Sequence, residues 1–485
     1  MKSELLLRSE ERNYFRLFGL LCSDIHWHSM KELGKLMNIS RPTLIKTIDG
    51  LKKRIIDFGM EERVSIEGPV YRNGIRICYK KEEDLIKFKK DFVLKTSGYQ
   101  IVSAMFQNEE INIMQKSKDL GVCQSVAREI LKGVESDLGY HHIQITSRNF
   151  KLIGEEIQIR EYLFWFWSEL CSFESWPFEN QSMEDLRKVV EFLYQLLGLE
   201  NISEETTFRV MLRFAITTHR LERYDQVISR PQWDEFFEEH EHFDKVAEVL
   251  DQLYWKNELT IHEKRYLYLV LQFESEIFSH LQPIGQKGIV MDSTNKVMNF
   301  ILEQYPELNL ENKLSVICIL QQFHTKLLCL GKSALSMEDM NKNQTRYVKE
   351  FNEFSNFSRL MIEDWELNHL RSVVLANTYI RLLKDYLFEK KEIQVYLNSE
   401  LSENDYAKVR EKIYDNFGGF FPLRFVSKPS EKEKADIMIS TAFAPHDVTD
   451  HCEKQIYVSE DFAYYDFKKI EEALTDIHMQ KAKDF

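Results

Sequence analysis

Two stretches near the N-terminus carry apolar residues at the spacing of one helix, a short break and then a second helix. In the first stretch, residues 31–51, Leu33 and Leu36 share one helix face. Ser40 can cap the helix that follows, and Pro42 is tolerated in its first turn. The pattern predicts a helix-turn-helix unit whose second helix turns polar side chains outward, namely Arg41, Thr43, Lys46 and Thr47.

The same pattern recurs in residues 113–131. Its apolar positions are Leu120, Val122, Val126, Ile130 and Leu131. The polar positions of the second helix, which we expect to face outward, are Gln124, Ser125 and Arg128. Two packed helices without any ligand would show the same pattern, so that alternative stays open for the first unit taken alone, and the second copy weighs against it.

Each of these units is followed by a short segment in which apolar and polar residues alternate. Residues 64–79 alternate around an Asn73-Gly74 turn, and residues 143–154 alternate around a turn at 147–149. We interpret both segments as hairpin wings, with Arg72 on the first and Arg148 on the second. Side chains on a recognition helix can reach base edges or phosphates in a major groove. Double-stranded DNA is therefore the expected partner of this part of the chain.

The distribution of charge agrees with this interpretation. Residues 1–154 hold 26 Lys and Arg against 20 Asp and Glu, whereas the remaining residues hold 38 against 58. Contacts to phosphate supply much of the affinity for DNA, so a basic end on an acidic body is typical of a chain that binds DNA through that end. The N-terminal excess of six positive charges is modest and supports the motifs without establishing them.

The overall composition predicts a mainly α, multidomain protein, because only 17 Gly and 9 Pro occur in 485 residues. Seven scattered Cys form no CxxC pair, which indicates reduced thiols. The start of the chain has no signal-peptide core, and no run reaches the length of a membrane span. We therefore expect a cytoplasmic protein that does not contact membranes. No metal site, cofactor or enzymatic activity is expected.

The middle of the chain contains a weak internal repeat with an offset of 105 residues, which aligns His219 with His324. The same apolar positions precede both histidines: Met211, Leu212, Phe214 and Ala215, and Val316, Ile317, Ile319 and Leu320. The repeat predicts two helical modules, near 172–285 and 286–390. The histidines are either functional or simply polar residues on partly buried helices, and the pattern does not decide between these alternatives.

The pattern changes again after Lys391. Short apolar runs predict strands at 392–397, 423–426, 435–440 and 455–458, and helices are expected at 405–417 and 467–479. This alternation predicts a small α/β domain with a mainly parallel sheet. Ligands of such sheets lie beyond the carboxyl ends of the strands. The loop there, residues 398–402, has no Cys, His or Gly-rich segment, so we expect it to be catalytically empty.

The whole arrangement resembles the Mga/AtxA group of virulence regulators from Gram-positive bacteria. The most specific local element is Phe150-Lys-Leu-Ile-Gly-Glu-Glu-Ile-Gln-Ile-Arg160, which resembles the segment that closes the second winged helix in this group and in related antiterminators. The resemblance implies two winged helix-turn-helix units at 1–82 and 83–171. It also implies two phosphotransferase-system regulation domains (PRDs) at 172–285 and 286–390, and a domain similar to a sugar-permease IIB domain at 391–485.

The resemblance further implies how such a protein is regulated. In the group, PRD histidines accept phosphate from the phosphocarrier protein HPr or a related component, and His219 and His324 match the first such position of each module. The second position falls at Gln272 and Asn377, which cannot form phosphohistidine, and Asn398-Ser399 replaces the phospho-accepting Cys of a IIB domain. Members of the group self-associate, which implies a homodimer.

The expected function is therefore a DNA-binding transcriptional regulator, more specifically an activator, tuned by phosphorylation and dimerisation. Two alternatives remain. One is a phosphotransfer component of the sugar phosphotransferase system, against which the missing Cys argues. The other is a helical scaffold without any nucleic-acid function. The target promoters and the sugar signal are not readable from the sequence.

Overall fold

A computed structural model gives the fold of the chain. It describes residues 3–23, 27–70, 74–107, 112–146, 150–178, 180–222, 226–238, 241–252, 259–281, 288–304, 306, 310–335, 348–361, 364–365, 367, 369–387, 392–398, 409–410, 412–414, 416–417, 421–426, 429, 434–440, 451–458 and 464–483.

The first N-terminal unit is a helical bundle followed by a hairpin. After a 3-10 turn at Ser3–Leu6, its elements are α1 (Ser9–Ser23), α2 (Met30–Met37), α3 (Arg41–Asp57), β1 (Val64–Val70) and β2 (Gly74–Tyr79). The side chains of Ser29 and Ser40 cap α2 and α3. Asn38 ends α2 in a left-handed conformation with φ of 52°, which turns the chain toward α3. β1 and β2 pair antiparallel, and a bridge between His28 and Ile75 extends the hairpin.

The second unit repeats this arrangement with a shorter hairpin. Its elements are α4 (Glu82–Leu94), α5 (Ser97–Gln107), α6 (Ile113–Asp119), α7 (Gln124–Tyr140), β3 (Gln144–Ile145), β4 (Leu152–Ile153) and α8 (Glu156–Leu170). β3 and β4 pair antiparallel over two residues each. α4 contributes to both units, because Phe88 and Phe92 belong to the apolar cluster of the first unit and Val93 belongs to that of the second.

The helical middle of the chain follows α8. Its first part comprises α9 (Met183–Leu197), α10 (Glu204–Leu221), α11 (Gln232–Phe237), α12 (Glu241–Gln252), α13 (Ile261–Leu271) and α14 (Ser275–Leu281). Its second part comprises α15 (Ile289–Gln304), α16 (Leu310–Leu330), α17 (Val348–Leu360) and α18 (His369–Leu387). Ser203 and Thr260 cap α10 and α13 through their hydroxyl groups. None of the described helices is long and apolar enough to cross a membrane.

The C-terminal part forms a small parallel sheet. Its strands are β5 (Ile393–Asn398), β6 (Leu423–Phe425), β7 (Ala435–Ser440) and β8 (Cys452–Tyr457), and α19 (Tyr464–Lys483) closes the chain. The strand order is β6-β5-β7-β8, and all neighbouring pairs are parallel. The described residues of 409–417 are helical, as predicted. β7 is buried along its whole length, which explains its nearly continuous apolar sequence.

The chain divides into two compact units: residues 1–342 with 349–380, and residues 343–348 with 381–485. The predicted fold class, mainly α and multidomain, is confirmed by these elements.

Candidate nucleic-acid interface

Helix α3 presents three of its four predicted outward side chains to solvent. Arg41, Thr43 and Lys46 are exposed. The predicted outward position of Thr47 is wrong, because this residue is only 3% exposed and its hydroxyl donates to the Thr43 carbonyl oxygen at 2.9 Å. Thr47 lies on the buried side of α3, so it offers no surface to a ligand in this structure.

Further exposed cations surround this face. Lys53 is exposed on α3, and Lys31 and Lys35 are exposed on α2. We did not select these lysines from the sequence, although Lys31 and Lys35 are four residues apart and therefore share one helix face. Asp49 is also exposed on α3, so the face is basic but not purely cationic.

The outer surface of helix α7 of the second unit carries charges of both signs, because Glu129 and Glu135 are exposed beside its cations. Ser125 and Arg128 are exposed and Gln124 is partly exposed. Lys132, one turn beyond Arg128, is exposed as well. The N-cap residue is Cys123, whose side chain makes no capping hydrogen bond to the helix.

The two wing residues proposed from the sequence, Arg72 and Arg148, lie outside the described residues. The described part of the first hairpin is held against the unit. Arg76 pairs with Glu67 at 2.9 Å, and its guanidinium lies 4.9 Å from the centre of the Trp27 ring. The ammonium of Lys52 on α3 donates to the Gly68 carbonyl oxygen of β1, which ties the hairpin to the helix.

Helix α8 closes the second unit and is buried on nearly all sides. Its aromatic residues Tyr162, Phe164, Phe166 and Trp167 are at most 4% exposed, as expected for a domain junction. Trp165 differs, with 52% of its surface exposed. The hydroxyl of Tyr162 donates to the carboxylate of Asp137 on α7 at 2.9 Å, which links the closing helix to α7.

The polar residues of α8 enter a buried network of ion pairs with α10 and α13. Arg160 donates to both carboxylate oxygens of Glu263, at 2.6 and 3.0 Å. It also donates to Glu156 at 2.9 Å, and Glu156 accepts two further bonds from Arg220, at 3.0 and 2.8 Å. The Val227 amide donates to Glu263 at 2.7 Å. We call these four charged residues the junction network: Glu156, Arg160, Arg220 and Glu263.

The side chains of the junction network are 0–9% exposed. Burial lowers the pKa of Arg160, but the carboxylates of Glu263 and Glu156 outweigh this effect and raise the pKa above its ordinary value. The arginine therefore stays charged, and the four charges balance. A buried ion pair is tolerable only when it is compensated and hydrogen-bonded in this way.

A second set of ion pairs involves two arginines of α10. Arg213 of α10 donates to Glu161 of α8 at 2.7 Å, and its guanidinium lies 3.5 Å from the centre of the Phe164 ring. Arg209 donates to Glu274 at 2.8 Å. The Arg213–Glu161 pair adds a directional contact between α8 and α10, whereas the Arg209–Glu274 pair connects α10 to the segment before α14.

The two candidate phosphorylation residues have different surroundings. His219, on α10, is 8% exposed, and its ring centre lies 5.5 Å from that of Phe178. Phe178 in turn packs edge-on against Trp167 of α8, with ring centres 4.9 Å apart. His219 therefore lies beside the apolar cluster of the second helix-turn-helix unit.

His324, on α16, is completely enclosed. Its Nδ1 lies 2.9 Å from the Thr294 hydroxyl, its Nε2 lies 3.0 Å from the Tyr379 hydroxyl, and its ring stacks on Trp365. Thr294 uses its single hydroxyl hydrogen for the Val290 carbonyl oxygen, so it accepts from Nδ1–H, and Nε2 accepts from Tyr379. Burial lowers the pKa of His324 to about 3, which keeps the ring neutral. Neither nitrogen is open to a phosphate donor in this conformation.

The residues at the second position of each module are also buried: Gln272 is 0% exposed and Asn377 is 1% exposed. In the C-terminal sheet, the Asn398 amide donates to the Ser440 hydroxyl at 2.8 Å at the ends of β5 and β7. Ser399 lies outside the described residues. Within the described part of the chain, no group of three or more His, Cys, Asp or Glu could hold a metal ion.

Two helix-turn-helix units that expose cations on their second helices, Arg41 and Lys46 on α3 and Arg128 and Lys132 on α7, are typical of the class of nucleic-acid-binding proteins. Residues 83–167, from α4 to α8, match the Mga helix-turn-helix domain family. A putative trans-acting regulator from Streptococcus pneumoniae serotype 4 is 20% identical over 470 residues, which cover 91% of this chain and 93% of that protein. The predicted resemblance to Mga-type regulators is confirmed, and these matches support a DNA-binding transcriptional regulator.

Proposed function

We propose that this chain binds double-stranded DNA through α3 and α7 and activates transcription. The observation that carries the proposal is the repetition of one arrangement: a short helix, a turn and a longer helix with exposed cations, followed by a hairpin. The match of residues 83–167 to the Mga helix-turn-helix domain supports it independently.

In this proposal Arg41 and Lys46 of the first unit, and Arg128 of the second, contact phosphates or base edges in adjacent major grooves. Thr43, Gln124 and Ser125 supply neutral hydrogen-bonding groups on the same faces. We expect Arg72 and Arg148, which lie outside the described residues, to contact the flanking DNA backbone. Thr47 no longer belongs to the proposed contacts, because it is buried.

A gel-shift titration of the full chain on promoter DNA tests the proposal. We expect R41A/K46A to weaken binding by about tenfold or more, and to reduce the salt slope by about 2, because two phosphate contacts are lost. R128A should weaken binding and reduce the slope by about 1. The matched control is Lys245→Ala, which removes an exposed cation from α12 and should change neither quantity. Unchanged binding and slope in R41A/K46A/R128A would contradict the proposal.

We further propose that His219 is the residue that accepts phosphate from HPr or a related phosphotransferase component. His219 retains some exposure and lies beside the apolar cluster of the second helix-turn-helix unit, whereas His324 is enclosed with both ring nitrogens hydrogen-bonded. A phosphate on His219 adds about two negative charges there, and this can change the position of the unit. His324 then has a structural role.

Incubation of the full chain with phosphoenolpyruvate and the phosphotransfer proteins tests this assignment. We expect acid-labile label in the wild type and in His324→Gln, and none in His219→Ala. Label that persists in His219→Ala and disappears in His324→Gln would reverse the assignment. Label that survives the double substitution would place the acceptor elsewhere.

Finally, we propose that the chain acts as a homodimer, held in part by the C-terminal α/β unit. A dimer makes the second DNA contact intramolecular and so raises the affinity. The C-terminal unit has its own apolar cluster around β5 and β7, which supports its removal as a block. Deleting residues 391–485 should weaken dimerisation and DNA binding together. Sedimentation that shows an unchanged dimer would move the interface to the helical modules.

A further inference from the structure

Helix α8 has two faces with different chemistry. One face packs into an apolar cluster that also contains Ala127, Ile130, Leu131, Val134 and Leu138 of α7. The other face carries Glu156 and Arg160 of the junction network, which reach α10 and α13. The apolar cluster also includes Phe208, Leu212 and Ile216 of α10, so α8 contacts the first helical module through both faces and α7 through the apolar one.

Apolar packing and ion pairs constrain this helix in different ways. Apolar burial is nearly non-directional, so the cluster tolerates small rotations of α8. Arginine–carboxylate pairs with two bonds fix both distance and orientation. Arg160 with Glu263, and Arg220 with Glu156, each make two such bonds in a buried site. The Tyr162–Asp137 hydrogen bond then ties α8 to α7.

A buried network of this kind is a weak means of stabilisation. Replacing a buried ion pair by uncharged groups of similar size is often neutral or stabilising, because removing the charges from water is costly. The network is therefore better suited to holding a geometry than to increasing the stability of the fold.

We propose that Glu156, Arg160, Arg220 and Glu263 are positioning residues that fix α7 relative to the first helical module, so that a change in the module reaches the DNA-binding face. The regulatory role of the junction network rests on the proposed DNA-binding function. The mechanical linkage itself does not depend on that function.

The linkage is tested on the full chain without DNA by amide hydrogen exchange. Val246→Ala on α12 loosens the module, because Val246 is fully buried and α12 packs on α13. In the wild-type background we expect about tenfold faster exchange in α13 and a parallel increase in α7. In the R160M/E263Q background, the side-chain amide oxygen introduced by E263Q still accepts from the Val227 amide. There the effect of Val246→Ala on α7 should be several-fold smaller relative to its effect on α13, because only the shared apolar cluster and the Arg213–Glu161 pair still connect α8 and α10.

The matched control is R187Q/E204Q, which neutralises an exposed pair between α9 and α10 and should transmit the effect like the wild type. If R160M/E263Q does not fold, Glu156→Gln gives the same comparison, because it keeps the size of the side chain but removes the charge that pairs with Arg160 and Arg220. An equal response of α7 in both backgrounds, or no response of α7 in the wild-type background, overturns the proposal.

A second readout separates positioning from stability. R160M/E263Q should bind promoter DNA about tenfold more weakly than the wild type, with an unchanged salt slope, because the phosphate contacts remain but are misplaced. A reduced slope would mean that these residues contact DNA directly and would overturn the positioning role. If the wild type does not bind DNA at all, the proposed function fails, while the exchange experiment still decides the linkage.

Discussion

The two helix-turn-helix units share a plan but differ in what they are packed against. The described apolar cluster of the first unit draws on residues from Leu7 to Phe92 and contains none from the helical modules. The cluster of the second unit includes Phe208, Leu212 and Ile216 of α10. The apolar cluster of the first unit is separate from the helical modules, whereas the second unit shares its cluster with the first helical module.

The local structure of the two units differs in the same sense. Ser40 caps α3 through its hydroxyl, but Cys123 makes no such bond at the start of α7. The first hairpin has strands of seven and six residues, and the second has strands of two residues each. The second unit has fewer local supports of its own, and its stability depends more on α8.

The largest expected effect comes from matched core substitutions. Leu44→Ala on α3 and Leu163→Ala on α8 each remove a fully buried side chain and should cost about 2–5 kcal/mol. Hydrogen exchange should show that Leu44→Ala loosens only the first unit, because its cluster is separate. Leu163→Ala should loosen α7 and α10 together. Faster hydrogen exchange of α10 in Leu44→Ala would contradict the proposed difference between the two units.

Lowering the pH should also affect the two helix-turn-helix units differently. The folded pKa of His324, about 3, lies below its ordinary value of 6.5, so the unfolded chain binds a proton in the interval between these values and the folded chain does not. Its contribution to stability is complete above pH 6.5 and is lost as the pH falls toward 3. Between pH 7 and 5, the free energy of unfolding should fall by about 2 kcal/mol more in the wild type than in His324→Gln.

Because α16 packs on α8, this acid effect should appear in the exchange of α7 before that of α3. Urea titrations at each pH, followed by exchange measurements, provide the readout. A pH dependence that is identical in wild type and His324→Gln would show that the histidine does not resist protonation in the folded protein.

Substitutions of the two N-cap residues should change stability by smaller amounts and with opposite signs. Ser40→Ala should destabilise the first unit by about 1 kcal/mol, because an N-terminal amide of α3 loses its acceptor. Cys123→Ser should stabilise the second unit by about 0.5–1 kcal/mol, since serine can supply the missing cap. Thermal unfolding of the two variants measures both effects. A loss of stability in Cys123→Ser would contradict the view that the second unit lacks this local support.

The smallest expected effect concerns the reactivity of a cysteine thiol and leaves the fold unchanged. Cys123 is exposed, and a hydrogen bond with the Ser125 hydroxyl lowers the pKa of its thiol. In the first unit, burial raises the pKa of Cys22 to about 12. Iodoacetamide should therefore alkylate Cys123 fastest among the seven cysteines, and Ser125→Ala should slow that reaction. Faster alkylation of Cys22 would contradict the lowered pKa.

Much of the local structure was predictable because short-range patterns determine it. Ser40 before Pro42 indicated the start of α3, and the apolar runs indicated the four strands of the C-terminal sheet. The error at Thr47 was avoidable. The buried stripe of α3 runs through Leu44, Ile48 and Leu51, and Thr47 lies at helical spacing within it.

The helix-turn-helix pattern and the helix caps could be predicted from the sequence, because each depends on residues close together in the chain. The basic balance of the N-terminal region follows from a count of its charged residues. Only the tertiary structure distinguished His219 from His324, because an offset of 105 residues contains no information about what encloses each ring. The pairing of Arg160 with Glu263 could not be predicted from the sequence either. A sequence lists charges, but the network depends on which of them burial brings within hydrogen-bonding distance.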